Sequence, residues 1–503
     1  MNLAVWQVLV QEPQFVIALR HTLISALGST LLALALALST MMVLYPSTVW
    51  QWLTRRLALL LAFPHAAFAV GLGFLLAPSG LIARLLAPVL EWASPPLWLT
   101  PQDPYALSLM LALALKESWF LLWVLAAVLQ QQGTISALQV AQSLGYGRLQ
   151  GWLQVLLPQI LPRLAWPLLA VMAYSVSVVD MALILAPTTP PPLAVLGWQW
   201  FNDINPERYA MGSAVSLLLM LILVGAAICG WLSFKVLQVF NQAPSGKRWK
   251  SVHLPIKPIW GVGIVLSGWL ALLLLLIWSF ANHWFFPALL PSTWTIKGWS
   301  QLDWSLLGNT VVIGVASSVL ALMLVVAWLE SIKQRWDGVS YWVLVLPAVP
   351  LVAAQYEVVI RLQAESTYLA LIWSHLLWVL PYVLLVLAST YRGFDARLST
   401  SARALGYGYW QVLWWVKLPI LWRPMSAALA VGFAVSVAQY LPTLMMGAGR
   451  INTMTTEAVA LSAGGNRRTL AVYAVGQALL PWLMFMLMNS LAHWQARDRV
   501  GLR

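Results

Sequence analysis

The sequence is poor in charge and almost free of cysteine. Lys, Arg, Asp and Glu supply 9% of its 503 residues, against about 25% in ordinary soluble domains. Its single cysteine, Cys229, lies inside an apolar run. That excludes an intrachain disulfide and any metal site built on paired cysteines. The 6 histidines are scattered, with no His-Glu-x-x-His, so no metal centre is expected. His65 and His375 read as hydrogen-bonded packing residues inside apolar stretches. Ser245-Gly246-Lys247 lacks the upstream glycine of a phosphate-binding loop. No cofactor is expected on this chain.

What remains is apolar. Hydrophobic residues make up 61% of the chain, and the mean hydropathy is +0.80. A soluble fold cannot hide that much apolar surface from water, so a soluble enzyme or a DNA-binding protein is excluded. The net charge of +13 does not point to nucleic acid, because the cations are too dilute to track phosphates. A bilayer crossing takes about 20 mostly apolar residues. Eleven such stretches are read, at 15–44, 57–77, 105–129, 164–186, 209–234, 258–280, 306–329, 341–360, 368–390, 424–446 and 469–493. Many of the 31 tryptophans, such as Trp50, Trp52, Trp92, Trp98, Trp198 and Trp200, fall near span ends, where aromatic belts sit. No secretory signal peptide is recognised.

The cations orient the spans. With the N-terminus outside, most of the 28 Lys and Arg fall in cytoplasmic loops, among them Arg55, Arg56, Arg148, Arg163, Lys247, Arg248, Lys333, Arg335, Arg397 and Arg403. The positive-inside rule then predicts N-out, C-in. The expected fold class is an all-α polytopic membrane protein of about eleven transmembrane helices.

The chain also matches itself. Residues 138–158, LQVAQSLGYGRLQGWLQVLLP, align with 399–419, STSARALGYGYWQVLWWVKLP. STLLALAL at 29–36 answers SSVLALML at 317–324, and Pro64 and Pro347 sit alike in their spans. A duplication is read, with a first repeat at 1–234, a basic linker at 235–257 and a second repeat at 258–503. The first repeat holds about five spans and the second about six. The extra span at 258–280 carries the chain back outside, so the repeats run in parallel and both Gly-Tyr-Gly loops face the cytoplasm.

Each loop, 134–160 and 395–420, reads as helix, glycine break, helix. Gly145 and Gly406 stand where a left-handed residue ends the first helix. Leu-Pro then marks a turn toward the next span. One reading is an interfacial anchor; the other is a docking element for a cytoplasmic partner with two equivalent sites. The loop resembles the EAA loop of permease subunits of binding-protein-dependent ABC importers, in which Glu-Ala-Ala is followed by glycine and then Leu-Pro. Gln139, Val140, Ala141, Gly145, Leu157 and Pro158 fall on that pattern, as do Thr400, Ser401, Ala402, Gly406, Leu418 and Pro419. The signature glutamate is missing from both copies. The chain is most similar to the fused two-repeat permeases of thiamine and ferric-iron importers. The resemblance implies an inner-membrane permease worked by alternating access. It also implies two copies of a cytoplasmic ATPase that bind the ATP, docked on the hairpins, and a periplasmic substrate-binding protein. Fused members have six spans per half, and the first half here lacks the leading one.

Charges inside spans are expensive and often functional. Lys116 and Glu117 fall mid-span, Asp180 lies deep in the fourth span and Glu357 late in the eighth. Two readings stand: an interhelical clamp, or a path for a cationic or polar substrate lined by Glu117 and Asp180, with Gln439 and Tyr440 opposite. An ion-coupled carrier working through Asp180, Glu117 and Glu357 is the rival function; an enzyme acting on lipid-linked substrates is another. The segments 187–208 and 447–468 are expected outside, as loops or as contacts for a binding protein.

Overall fold

The computed structural model describes residues 3–130, 133–241, 259–332 and 338–496. Most of the expected linker 235–257 lies outside them, as do Lys333 and Arg335. The chain is an α-helical membrane bundle. A two-stranded ribbon, Ala281–His283 with Thr293–Trp294, is the one sheet among the described residues. Nine of the described helices are long and apolar enough to cross a bilayer, or ten if one bent pair counts as a single span.

The difference from eleven has a physical cause. The expected span 341–360 consists of two helices, Gly338–Val345 and Ala348–Arg361, that meet at Pro347. The span expected at 424–446 belongs to the bent pair, and span 57–77 also breaks at Pro64, between Thr48–Leu61 and His65–Leu76, although His65–Leu90 is still long enough to cross. Proline offers no N–H to the helix ladder and clashes with the preceding turn. Hydropathy registers composition and not continuity, so both breaks pass unseen in a window average. Two further spans stop short of their expected ends. Leu157–Ser177 gives way to the short helix Asp180–Leu185, and Trp422–Val437 to Leu441–Gly447. Non-helical backbone at membrane depth is tolerated where protein or a water-filled path surrounds it.

The two halves repeat their polar contacts. In the first, Thr22 in helix Phe15–Leu44 donates to the Ala18 carbonyl at 2.9 Å and accepts from Leu193 N–H at 2.8 Å. In the second, Thr310 in helix Trp304–Ser331 donates to Leu306 at 2.6 Å and accepts from Met454 N–H at 2.9 Å. Leu193 and Met454 open the helices Leu193–Phe201 and Met454–Ser462. The segments expected as loops at 187–208 and 447–468 thus each carry a helix pinned to the bundle. Each threonine meets an otherwise orphaned amide at a helix start. Thr22→Val and Thr310→Val should each cost about 1–3 kcal/mol, the penalty for an unsatisfied buried donor. Thermal unfolding of the detergent-solubilised chain measures it, and the double variant should show the sum because the sites share no partner.

Helix Ile259–Phe280 opens the second half in sequence and packs on both halves, against Arg467–Ala496 of its own and against His65–Leu76 of the first. Trp119 donates its indole N–H to the Ile264 carbonyl at 2.9 Å. Gly268 lets the backbones approach: a Cβ there would stand 2.7 Å from the Leu60 and Trp119 side chains. Small residues at such crossings replace the hydrophobic driving force that lipid cannot supply.

Arg84 and Arg467 also join the halves. Arg84 is 2% exposed and donates to the carbonyls of Ser79, Phe285, Trp284 and Ala288. Arg467 donates to Ser79 Oγ at 2.8 Å. These ties hold together the ends of the halves that carry the threonine-pinned helices. Both glycine hairpins lie at the opposite end, beyond the C-termini of Phe15–Leu44 and Trp304–Ser331.

Candidate functional site: two glycine hairpins and a buried polar cluster

The hairpins are built alike. Helix Thr134–Ser143 ends on Leu144, and Gly145 follows at φ 85°. Helix Ala396–Ala404 ends on Leu405, and Gly406 follows at φ 91°. Tyr146 N–H reaches the Ala141 carbonyl and Gly145 N–H that of Gln142. Tyr407 and Gly406 do the same to Ala402 and Arg403. This paired closure is a Schellman motif, and it requires the left-handed residue that glycine supplies at no steric cost. Ala141 and Ala402 turn inward and are buried, while Gln139, Val140, Thr400 and Ser401 face outward.

The second arm departs from expectation in the first copy only. Leu157-Pro158 does not turn the chain, whereas the chain bends just after Leu418-Pro419. In each hairpin a π turn, Trp152–Leu156 or Leu413–Lys417, leads straight into Leu-Pro. Leu157 N–H bonds the Trp152 carbonyl and Leu418 N–H that of Leu413, one residue farther than in an α-helix. The wider turn accommodates the proline ring, as π-bulges do within helices. The first copy then runs on as a span, Arg148–Ser177, whereas the second bends by 75° between Ile420 and Trp422.

A polar cluster lies at the helix breaks. His65 follows Pro64, and its Nε2 stands 3.5 Å from Glu117 Oε1. The His65 ring meets that of Tyr174 at 4.5 Å between centroids. Tyr174 donates to Asp180 Oδ1 at 3.5 Å. Tyr382 lies within electrostatic range of Glu117, and Tyr440 of Asp180. Asp180 opens the short helix after the break in one half, and Gln439 and Tyr440 stand at the corresponding break in the other. The expected set Glu117, Asp180 and Tyr440 is thus joined by His65, Tyr174 and Tyr382. Among the described residues no group of three or more His, Cys, Asp or Glu could hold a metal ion.

Lys116 takes no part in this cluster. Its ammonium donates to the carbonyls of Leu60, at 3.0 Å, and Phe63, at 2.6 Å. These carbonyls end helix Thr48–Leu61, where the ladder stops before Pro64. Neighbouring side chains on a helix diverge, so Lys116 serves one side of the break and Glu117 the other. His375 is a packing residue: its ring nitrogens lie 2.7 Å from Ser436 Oγ and 2.9 Å from Thr443 Oγ1. Glu357 stands apart from this cluster. It is half-buried, pairs with Arg361 at 2.9 Å and lies beside the Tyr209 hydroxyl. Sequence reading missed Tyr174 and Tyr382, since aromatic residues are common throughout the spans, and proximity to Pro64 was the available signal for His65.

Comparison with known proteins supplies the context. The chain is 38% identical over 503 residues to the inner membrane ABC transporter permease protein YnjC of Escherichia coli, covering 100% of this chain and 93% of that protein. It is 23% identical over 152 residues to the spermidine/putrescine transport system permease protein PotC homolog of Mycoplasma genitalium, covering 53% of it. It is 24% identical over 105 residues to PotC of Escherichia coli, covering 40% of it. No protein-family model matches the chain.

Proposed function

The chain belongs to the family of inner-membrane ABC transporter permeases, and from that premise we propose how its parts divide the work of import. It is a multi-pass permease subunit of an ABC importer, and permeases of this kind are not themselves enzymes. They act with ATPase and substrate-binding partners. In our reading the chain contributes both halves of the permease, as a first repeat at 1–234 and a second at 258–503, N-out and C-in. Two ATPase subunits bind and hydrolyse the ATP, one on each hairpin, and the permease carries no cofactor. A loaded binding protein engages the opposite face, where the pinned helices Leu193–Phe201 and Met454–Ser462 lie.

The recurrence of one Schellman turn followed by one π turn supports the docking reading. A lone interfacial anchor needs no such duplicate geometry. Gln139-Val140 and Thr400-Ser401 offer the outward faces. Alternating access follows if nucleotide-driven closure of the ATPases moves the hairpins and biases two arrangements of the helices. A carrier driven by ion gradients leaves both hairpins without a role.

The path runs through the helix breaks, past Glu117, Asp180, Gln439 and Tyr440. Two buried carboxylates beside tyrosine rings favour a small cation, through charge and through attraction to the ring faces. The two PotC relatives are named for spermidine and putrescine transport, which accords with a cationic cargo. The complex purified with its partners and reconstituted in liposomes tests this against a panel of organic and inorganic cations. ATP-dependent accumulation of a cation is expected, with Asp180→Asn lowering it by at least about tenfold, the cost of losing one close charge contact. Uptake undiminished in Asp180→Asn removes Asp180 from the path.

A further inference from the structure

Each hairpin is tied to the end of the corresponding long helix of its own half, Phe15–Leu44 or Trp304–Ser331, and the two ties differ in chemistry. In the first half Arg148 opens the second arm of the hairpin. Its Nη2 donates to the carbonyls of Met42 at 3.2 Å, Val43 at 3.2 Å and Tyr45 at 2.9 Å. These carbonyls end helix Phe15–Leu44 and have no acceptor role within it. In the second half the helix end carries Glu330. Its carboxylate accepts from Tyr391 at 2.6 Å and Tyr409 at 2.8 Å, and pairs with Lys417. Lys417 also stands 4.2 Å from the centre of the Tyr391 ring.

The ties occupy equivalent places. Where 29–36 align with 317–324, Met42 aligns with Glu330. Where 138–158 align with 399–419, Arg148 aligns with Tyr409 and Leu156 with Lys417. One helix end thus meets one hairpin arm twice, by a guanidinium on bare carbonyls in one half and by an ion pair with two tyrosines in the other. Keeping a contact while changing every residue that makes it indicates that the contact itself matters.

We infer that Arg148 and the Glu330–Lys417 pair are positioning residues for coupling: they make hairpin and first helix move as one body, so that motion at the docking face reaches the helix breaks. The inference rests on the hairpins being the ATPase docking sites. Each hairpin's second arm runs into the bundle through a π turn, the wider and less regular part of the helix. Flexing at that turn would let a hairpin shift without carrying its helix along. Charge-assisted hydrogen bonds, shorter and stronger than neutral ones, resist that slippage. Both ties sit at the ends of the long helices, whereas Glu117 lies midway along helix Leu107–Gln130, so they act on the path through the helices and not by touching cargo.

The test uses the whole complex, with Cys229→Ser to remove the exposed native thiol and Gln439→Cys as a reporter in the path. The probe is a membrane-impermeant maleimide, and the readout is its labelling rate with and without ATP plus vanadate. With both ties intact, nucleotide should change that rate by about fivefold or more, as expected when a two-state equilibrium is shifted. Glu330→Gln should reduce the response to less than about twofold while the ATPase subunits still co-purify in wild-type yield, so that coupling and not docking is lost. The exchanged pair Glu330→Lys with Lys417→Glu should restore it, with Tyr391 and Tyr409 then accepting from the new lysine. Arg148→Gln should mimic Glu330→Gln. A full nucleotide response in Glu330→Gln and Arg148→Gln overturns the inference. If Glu330→Gln does not accumulate in the membrane, the exchanged pair decides: a restored response upholds the tie and a lost one overturns it. Failure of the ATPase to co-purify with the unaltered ties refutes the docking reading instead, and so stays distinguishable.

Discussion

Replacing Gly145 and Gly406 together by proline is expected to strip the permease of its ATPase subunits while leaving it in the membrane. Both glycines hold positive φ, at 85° and 91°. Proline fixes φ near −65°, so neither position can keep its backbone conformation. The substitution also removes the amides that bond the Gln142 and Arg403 carbonyls. Both Schellman turns must open, and the first arm of each hairpin loses its angle to the second. The outward faces, Gln139-Val140 and Thr400-Ser401, then no longer stand as a pair of equal surfaces. ATPase recovered with the affinity-purified permease should fall by at least about tenfold, roughly 1.4 kcal/mol or more of binding. Each single variant should lose less, since one docked subunit remains. ATPase recovered at wild-type yield with the double variant would sink the docking assignment. The spans themselves should survive, because nothing beyond each turn depends on these two amides.

Removing the charge of Lys116 should have the largest effect on stability. Lys116 is 3% exposed and its ammonium holds two carbonyls at the Pro64 break. Lys116→Met keeps the length of the side chain and supplies no donor. The Phe63 carbonyl loses the Lys116 donor at a cost of about 1–3 kcal/mol when buried, while the Leu60 carbonyl keeps the Phe63 N–H at 3.1 Å. A fall in melting temperature of several degrees in detergent is the expected outcome. Lys116→Arg should recover part of it, since guanidinium still donates but fits less well. Unchanged melting of Lys116→Met would show that the Phe63 carbonyl finds another partner. Asp180→Asn, by contrast, should leave melting nearly unchanged, because the amide still accepts from Tyr174. The pair of variants therefore separates the residue that holds the break from the one that faces the path.

The two glycine turns were legible because their geometry is local. A Gly-Tyr-Gly after a short polar helix leaves few ways for the chain to end that helix, and both copies end it alike. Leu157-Pro158 misled for a related reason. Proline does disfavour the preceding α-turn, yet a π turn absorbs the ring and lets the helix proceed there, while the chain turns as expected just after Leu418-Pro419. The charges at 116 and 117 were visible as anomalies, but not their roles. Their partners, Leu60, Phe63 and His65, lie more than fifty residues away along the chain. Arg148 and Lys417 are, in the sequence, two of 28 cations, most of them assigned to cytoplasmic loops. That they each secure a helix end depends on contacts no local pattern encodes.

By itself the sequence determined what solvent this protein lives in, how often it crosses that solvent to within a helix or two, and that one unit is written twice. Those properties follow from composition, from hydrophobic length and from self-similarity, all of which are additive along the chain. The tertiary structure decided which spans are whole. It also decided which charges cap a broken helix, which join the polar cluster at the breaks, and that helix Ile259–Phe280 bridges the two halves. Each of these depends on which distant carbonyl or side chain happens to lie within hydrogen-bond reach. In lipid that reach carries unusual weight, because a polar group left without a partner there has no water to turn to.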